Sequence, residues 1–268
     1  MTVETLHHKD TPTISIAMPV FNAGKYLNDA VKSIINQTFK DWELILIDDG
    51  STDNSVEVIR EIKDDRIIIL QDGKNEGLAK RLNQAIDIAR GDYFARMDGD
   101  DIAVECRLEK QIKFLKDNPG IDLLSTRAYK INEENDIVGE LPFDQTHRKL
   151  TRYIWRSIYM PHPTWLGKTE WFRRFKYKLP ASYLSEDQEL LLRASKTSKY
   201  ACLDEFLLLY RVKTNIDFKR QLLTYYSILK FQTTYFIKTE QYLLPLVLAS
   251  FTVRCIKTIR ALVLQSVK

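Results

Sequence analysis

Cysteine is scarce in this sequence: 268 residues contain three, Cys106, Cys202 and Cys255, far apart along the chain. An odd, scattered set argues against a disulfide framework and against a zinc cluster, and it predicts inert thiols in a reducing compartment. The polar stretch Met1 to Pro12, with His7, His8, Lys9 and Asp10, has no apolar core of the signal-peptide kind. The chain is therefore expected to stay where it is made, in the cytoplasm. Repeats and low-complexity segments are missing. The net charge of +4 is mild, and no nucleic-acid partner is expected. A charged fraction of 28% is ordinary and excludes a disordered chain. The length suffices for one large domain, or one domain with an appendage.

Acid is also missing from one region. From Phe218 to Lys268 the only acidic residue is Glu240, against Lys219, Arg220, Lys230, Lys238, Arg254, Lys257, Arg260 and Lys268. Tyr242 to Val253 is strongly apolar, but Arg254 ends the run short of the ~20 residues a spanning helix needs. A basic amphipathic segment rich in Tyr, Phe and Leu predicts peripheral contact of 218–268 with an anionic membrane face. The alternatives are a C-terminal helix packed on its own core, or on a second subunit in a homodimer.

What is present is an alternation. Ile14 to Val20 reads as a buried strand, ended by an Asn-Ala-Gly turn. Leu27 to Gln37 spaces its apolar residues as a helix does. Trp42 to Ile47 is a second strand, Asn54 to Lys63 a helix and Ile67 to Leu70 a third strand. Gly77 to Arg90 is a helix closed by Gly91, and Tyr93 to Met97 is a fourth strand. This order predicts an α/β fold, with a mostly parallel central sheet flanked by helices. Beyond it, a helix is expected at Arg107–Lys116, a strand at Asp122–Ile131, a helix at Glu186–Ala194 and a strand at Phe206–Val212. The division expected is a tail at 1–12, a catalytic domain at 13–217 and a basic helical region at 218–268. The catalytic domain splits into a nucleotide-binding half, 13–101, and an acceptor half, 102–217.

Ligands of such sheets sit beyond the carboxyl ends of the strands. Those ends carry Pro19-Val20-Phe21-Asn22, Asp48-Asp49-Gly50-Ser51 and Asp98-Gly99-Asp100-Asp101. Three carboxylates within four positions repel one another unless a cation lies among them. A hard divalent cation, Mn²⁺ or Mg²⁺, suits oxygen ligands supplied partly by protein and partly by phosphate and water. Gly99 lets the backbone approach a ligand. Ser51, Thr52 or Asp53 can cap the following helix.

The run IAMPVFNAGKYLNDAVKSIINQTFKDWELILIDDGSTDNS closely resembles inverting glycosyltransferases of family 2. The resemblance continues through Asn75-Glu76-Gly77-Leu78-Ala79-Lys80, Met97-Asp98-Gly99-Asp100-Asp101, Pro161-His162-Pro163-Thr164 and Ser185-Glu186-Asp187-Gln188. It implies the GT-A form of the α/β fold with a C-terminal helical appendage, and a nucleotide-sugar donor, most often UDP-linked. By the same resemblance, Pro19, Phe21 and Asp49 hold uracil and ribose, with Val20 and Asn22 beside them. Asn75 and Lys80 lie near nucleotide and diphosphate. Asp98 touches ribose or metal, Asp100 is the main metal ligand, and Asp187 is the catalytic base with Glu186 beside it. The acceptor implied is a saccharide or lipid-linked saccharide of surface polysaccharide. His162 and Arg211 are weaker candidates for acceptor or phosphate contact. The family's Tyr-Arg-x-His is here Tyr210-Arg211-Val212-Lys213; Lys213 is a further weak candidate that could replace the histidine's charge at the phosphates, but as a charged ammonium it cannot coordinate a metal. Two other readings remain: a catalytically silent nucleotide-sugar-binding or glycan-binding subunit, and a sugar-phosphate nucleotidyltransferase. The second wants a glycine-rich basic first loop, which this chain lacks.

Overall fold

The computed structural model describes residues 11–181, 184–212 and 217–266, so Lys213 and most of the 1–12 tail lie outside the described residues. Strands β1 (Ile14–Val20) and β2 (Trp42–Asp48) are buried along their whole length. Continuous apolar runs of this kind suit strands covered on both faces. One face of the sheet packs Ile16, Met18, Leu44 and Leu46 against Leu27, Ala30, Val31 and Ile34 of helix α1 (Gly24–Ile35). The other packs Ala17, Ile45 and Ile47 against Ala79, Leu82, Ala85 and Ile86 of α3 (Leu78–Ile88). Each of the larger side chains contributes about 1.5–3 kcal/mol of burial. Helix α2 (Ser55–Arg60) lies between β2 and β3 (Ile67–Gln71).

Among the described residues nine strands form one sheet, in the order β3-β2-β1-β4-β8-β6-β9-β5, with β7 paired to β6. β4 is Tyr93–Arg96, β5 Ile102–Ala103, β6 Leu123–Ile131, β7 Ile137–Glu140, β8 Leu166–Lys168 and β9 Tyr200–Arg211. The first four positions are parallel, with Val20 opposite Asp48 and Ala17 opposite Arg96. That register delivers the ends of β1, β2 and β4 to one edge of the sheet.

The sheet is less parallel than the alternation predicts. β8 runs antiparallel to both β4 and β6, and β5 antiparallel to β9. Strands of two and three residues carry too little pattern to be read. β9 begins at Tyr200, ahead of the expected Phe206, because its register with β6 jumps from Leu203 to Phe206. Asp204 and Glu205 fall in the bulge and interrupt the apolar run. Gly91 does not close α3, whose cap is Ala89. A Cβ at Gly91 would stand 2.7 Å from the Ser15 nitrogen, so glycine is needed for close approach to β1.

Helix α4 (Arg107–Asp117) covers the α1 face, and α5 (His147–Thr151), α6 (Thr169–Arg174) and α7 (Glu186–Ala194) follow. The chain ends in two long helices, α8 (Phe218–Thr239) and α9 (Leu244–Ser266). Phe236 and Val247 pack on Leu192 of α7, and Lys196 pairs with Glu240 at 2.8 Å. Arg254 does not end the apolar helix. Its Nη2 donates to Ser157 Oγ at 2.9 Å, and α9 runs on through it. Among the described residues one stretch, Gln241–Arg260, is long and apolar enough to cross a membrane by length and composition.

Candidate active site

The loop from β1 into α1 is built by side chains from the end of β2. Asn22, with φ of 52°, donates its backbone N–H to Ser51 Oγ at 3.0 Å. Its Oδ1 accepts from the Thr52 nitrogen at 2.8 Å. The Ala23 and Gly24 nitrogens donate to Ser55 Oγ and Asp53 Oδ2, each at 3.0 Å. These are the free N–H groups at the start of α1. Asp53 also accepts from the Ser55 nitrogen at the start of α2. The capping expected for α2 is thus shared with α1, and it locks two strand ends together. Pro19 and Val20 remain within β1, and Phe21 stands exposed at the lip.

Asp49 is buried, and its carboxylate faces inward. Oδ1 accepts from the Glu76 nitrogen at 2.7 Å and from Arg81 Nε at 2.8 Å, and the Gly77 nitrogen donates to Oδ2 at 3.0 Å. Asn75 is exposed beside it, its backbone packed close to Gly50. Lys80 pairs with Glu76. Asp49, Asn75 and Lys80 therefore form one neighbouring set.

A cavity of about 710 Å³ lies at the end of β4. Phe21, Asp98, Asp100, His162, Glu186 and Asp187 all line it, together with Arg96, Gln188, Tyr210 and Arg220. Asp49, Asn75, Lys80, Asn22 and Arg211 do not. Residues 90 positions apart in sequence, Arg96 and Glu186, meet here because β4 and the first turn of α7 open on the same space.

Asp98 is held by Arg96. Nη2 lies 2.5 Å from Oδ1 and Nη1 2.6 Å from Oδ2, a two-pronged ion pair. Arg96 is buried at the end of β4, and Arg107 Nη2 donates to its carbonyl at 2.8 Å. Asp100 is pushed up to about 6, first by burial and then by the charge of Asp98. Asp101 is fully buried and raised by the same causes. Its Oδ1 accepts from the Arg211 nitrogen at 2.8 Å, and its Oδ2 has no partner among the described residues. A Cβ at Gly99 would meet the side chains of Val20, Leu27 and Ala23 at 3.3, 3.4 and 3.5 Å. The guanidinium of Arg211 is spent on the chain itself. Nε donates to the Asp100 carbonyl at 2.8 Å, Nη1 to the Asn132 carbonyl and Nη2 to Asn135 Oδ1, both at 2.6 Å.

Glu186 and Asp187 open α7, where the helix N-terminus favours negative charge. Burial and the neighbouring Asp187 raise Glu186 to about 7. Burial raises Asp187 as well, opposed by hydrogen bonds from Gln188, whose Nε2 donates to Oδ2 at 3.2 Å. Gln188 is anchored by Ile158, donating to its carbonyl and accepting from its nitrogen at 3.1 Å each. His162 Nε2 lies 2.6 Å from Tyr177 Oη, and burial, then Arg96, holds the ring neutral. Asn83 grips the Tyr177 backbone from α3. Sequence reasoning missed Arg96, Tyr177 and Gln188. Only Arg96 left a signal, as a lone charge in the apolar run that leads into the aspartates.

Among the described residues no three His, Cys, Asp or Glu side chains converge as a closed metal cage. Asp98 has both oxygens on Arg96. Asp100, crowded and raised at the cavity wall, marks a spot where added positive charge relieves the cluster. The residues present thus fit a divalent cation taking one protein carboxylate, with phosphate and water completing its shell. They do not fit an all-protein site.

Residues 15–178 match the family model described as glycosyl transferase family 2. A glycosyltransferase of Methanocaldococcus jannaschii, itself uncharacterised, is 34% identical over 82% of this chain and 79% of its own length. The O-antigen biosynthesis glycosyltransferase WbnJ of Escherichia coli is 30% identical over 84% of this chain and 89% of its own. Among solved structures, TarS of S. aureus with UDP-GlcNAc superposes with a TM-score of 0.69 at 18% identity, covering 90% of this chain and 72% of that one. A mannosyltransferase of Pyrobaculum calidifontis with GDP-Man and Mn²⁺ gives 0.67 at 13% identity, covering 100% and 79%. These last two likenesses establish the fold, the GT-A form of α/β with C-terminal helices. The chain belongs to glycosyl transferase family 2 and is a glycosyltransferase.

Proposed function

We propose that this enzyme moves a sugar from a UDP-linked donor to an acceptor hydroxyl, with inversion, during assembly of a surface polysaccharide such as an O-antigen or capsule at the cytoplasmic membrane face. One observation carries the reading. The Asp98–Asp100 pair and the Glu186–Asp187 pair stand more than eighty positions apart in the sequence but line a single cavity. The O-antigen relative and the neighbour holding UDP-GlcNAc support the choice of pathway and donor.

In the proposed reaction the acceptor hydroxyl attacks the anomeric carbon from the face opposite the leaving diphosphate. Asp187 removes its proton, within hydrogen-bond reach and steadied by Gln188. Glu186 beside it orients the acceptor. Asp100 would hold a divalent metal, which when bound supplies Lewis-acid stabilisation of charge on the leaving diphosphate. Phe21 forms the platform at the lip for the nucleotide. Neutral His162, set by Tyr177, offers the acceptor an uncharged hydrogen-bonding ring.

The test is release of nucleoside diphosphate from a panel of UDP-sugars and GDP-sugars with Mn²⁺ present. Slow release from a UDP-sugar is expected, lost in Asp187→Asn and in Asp100→Ala. Full activity in Asp187→Asn would reject the base assignment. Tight UDP binding with no turnover of any donor would assign a silent binding subunit instead.

A further inference from the structure

The α8–α9 hairpin buries Ile228, Phe236 and Val247, yet it also turns polar groups inward and leaves a set of apolar groups outward. Arg254 reaches Ser157, while Ser250 and Thr258 are buried on the inner side of α9. Outward stand Leu246, Leu248, Val253 and Ile256 on α9, and Leu223 and Tyr226 on α8. Nine of the sixteen exposed large apolar side chains among the described residues lie on this hairpin. A helix pair facing water shows the reverse pattern.

The charges select what covers that face. Lys219, Arg220, Lys230, Lys238, Lys257 and Arg260 are exposed on the same two helices. Glu240, the single acid of the region, is already paired with Lys196. A second copy related by a two-fold axis would set these cations against one another. An anionic bilayer offers phosphate to the cations and acyl chains to the apolar side chains. A spanning α9 would drag Arg254 from its seat on Ser157 into hydrocarbon.

We propose that the outer face of α8–α9 docks this protein in the plane of an anionic membrane surface. Arg220 belongs both to this basic face and to the wall of the catalytic cavity. Docking therefore turns the cavity toward the lipid headgroups. If the glycosyl-transfer reading above holds, on which this step rests, the acceptor is carried on an anionic lipid and reaches Asp187 without leaving the surface.

The test is flotation of the purified full chain with vesicles of phosphatidylcholine alone, or mixed with phosphatidylglycerol. Binding to the anionic vesicles is expected, weakened by raising the salt. The triple charge reversal Lys230→Glu, Lys257→Glu, Arg260→Glu should lower it by at least about tenfold. Leu248→Glu with Ile256→Glu should lower it too, with the UDP-induced thermal shift unchanged. No flotation with either vesicle overturns the proposal, as does equal flotation on both that ignores the charge reversal. A dimer broken by Ile256→Glu, without vesicle binding, would hand the face to a second copy. Flotation needs no donor turnover, so a failed transfer assay leaves the docking result intact, and the reverse holds.

Discussion

Arg96 and Asp98 face each other through two parallel hydrogen bonds of 2.5 and 2.6 Å at the end of β4. Arg96 is 3% exposed, so it has no other route to water. Removing Asp98 strands a buried cation, which costs about 3–5 kcal/mol. Asp100 sits under the opposite stress, raised by burial and by Asp98. Asp98→Ala should therefore lower the melting temperature of the metal-free protein clearly, while Asp100→Asn leaves it unchanged or raises it. The order should invert for Mn²⁺ affinity in the presence of UDP, measured by calorimetry. There Asp100→Ala should lose more than about tenfold, equivalent to 1.4 kcal/mol, and Asp98→Asn less. Equal losses in both would make Asp98 a full ligand and break the Arg96 assignment.

The pH dependence of transfer follows from the start of α7. A base must be unprotonated to act, and burial raises both Glu186, to about 7, and Asp187. The rate should therefore fall as pH drops, along a limb displaced above the ordinary carboxylate range. The two carboxyls are coupled, so the limb belongs to the pair. Glu186→Gln removes the neighbouring charge and should shift the limb to lower pH while some activity remains. A limb that stays in place in this variant would mean that Asp187 titrates independently of Glu186.

Stability should move with pH in the opposite sense from that of an ordinary ion-paired carboxylate. Asp100, Asp101, Glu186 and Asp187 are all raised in the folded chain. Between the ordinary carboxyl range and about 7, the folded state binds more protons than the unfolded one, so stability falls as pH rises through that window. Carboxylates held low by partners, such as Asp72 at about 2 beside Arg81, lose their contribution only at more acidic pH. The metal-free melting temperature should thus rise on going from pH 8 to about pH 5.5. Asp101→Asn, which keeps the acceptor for the Arg211 nitrogen, should raise it at pH 7.5 and flatten the slope. A melting temperature that drops steadily over this range would contradict the sign.

The layout of the sheet's first half was readable because β1, β2, α1 and α3 repeat their apolar residues at strand and helix periods over long stretches. β8 and β5 were not, being too short to show a period. The cluster Asp98–Asp101 could be found from its crowding, and the N-terminus of α7 from the resemblance. What no spacing could reveal was direction. Arg211 reads as a free cation near phosphate, yet its guanidinium closes on the carbonyls of Asp100 and Asn132. Arg96 shows in the sequence as a lone charge but not as a partner, for the converse reason: Asp98 is two residues away, on a turn whose shape the sequence does not state.

Asp49 poses the same question of direction and can be settled by separating charge from shape. Arg81 is 2% exposed and pairs with Asp49 at 2.8 Å and with Asp72 at 2.7 Å. Asp49→Ala removes half of its compensation, together with the acceptor for the Glu76 and Gly77 nitrogens. Loss of a partner from a buried pair costs about 3–5 kcal/mol, so this variant should unfold at much lower urea. Asp49→Asn keeps an acceptor oxygen for the Glu76 nitrogen but loses the charge and puts an amide donor where Oδ2 accepts from the Gly77 nitrogen. If Asp49 serves the fold alone, Asp49→Asn should bind UDP with an unchanged thermal shift, once its lower baseline is subtracted. If Asp49 turns to accept from the base N–H when donor enters, the Asn variant should lose UDP affinity at least about tenfold while keeping most of its stability. The structure, with both oxygens taken by the Asn75–Gly77 turn and Arg81, predicts the first outcome.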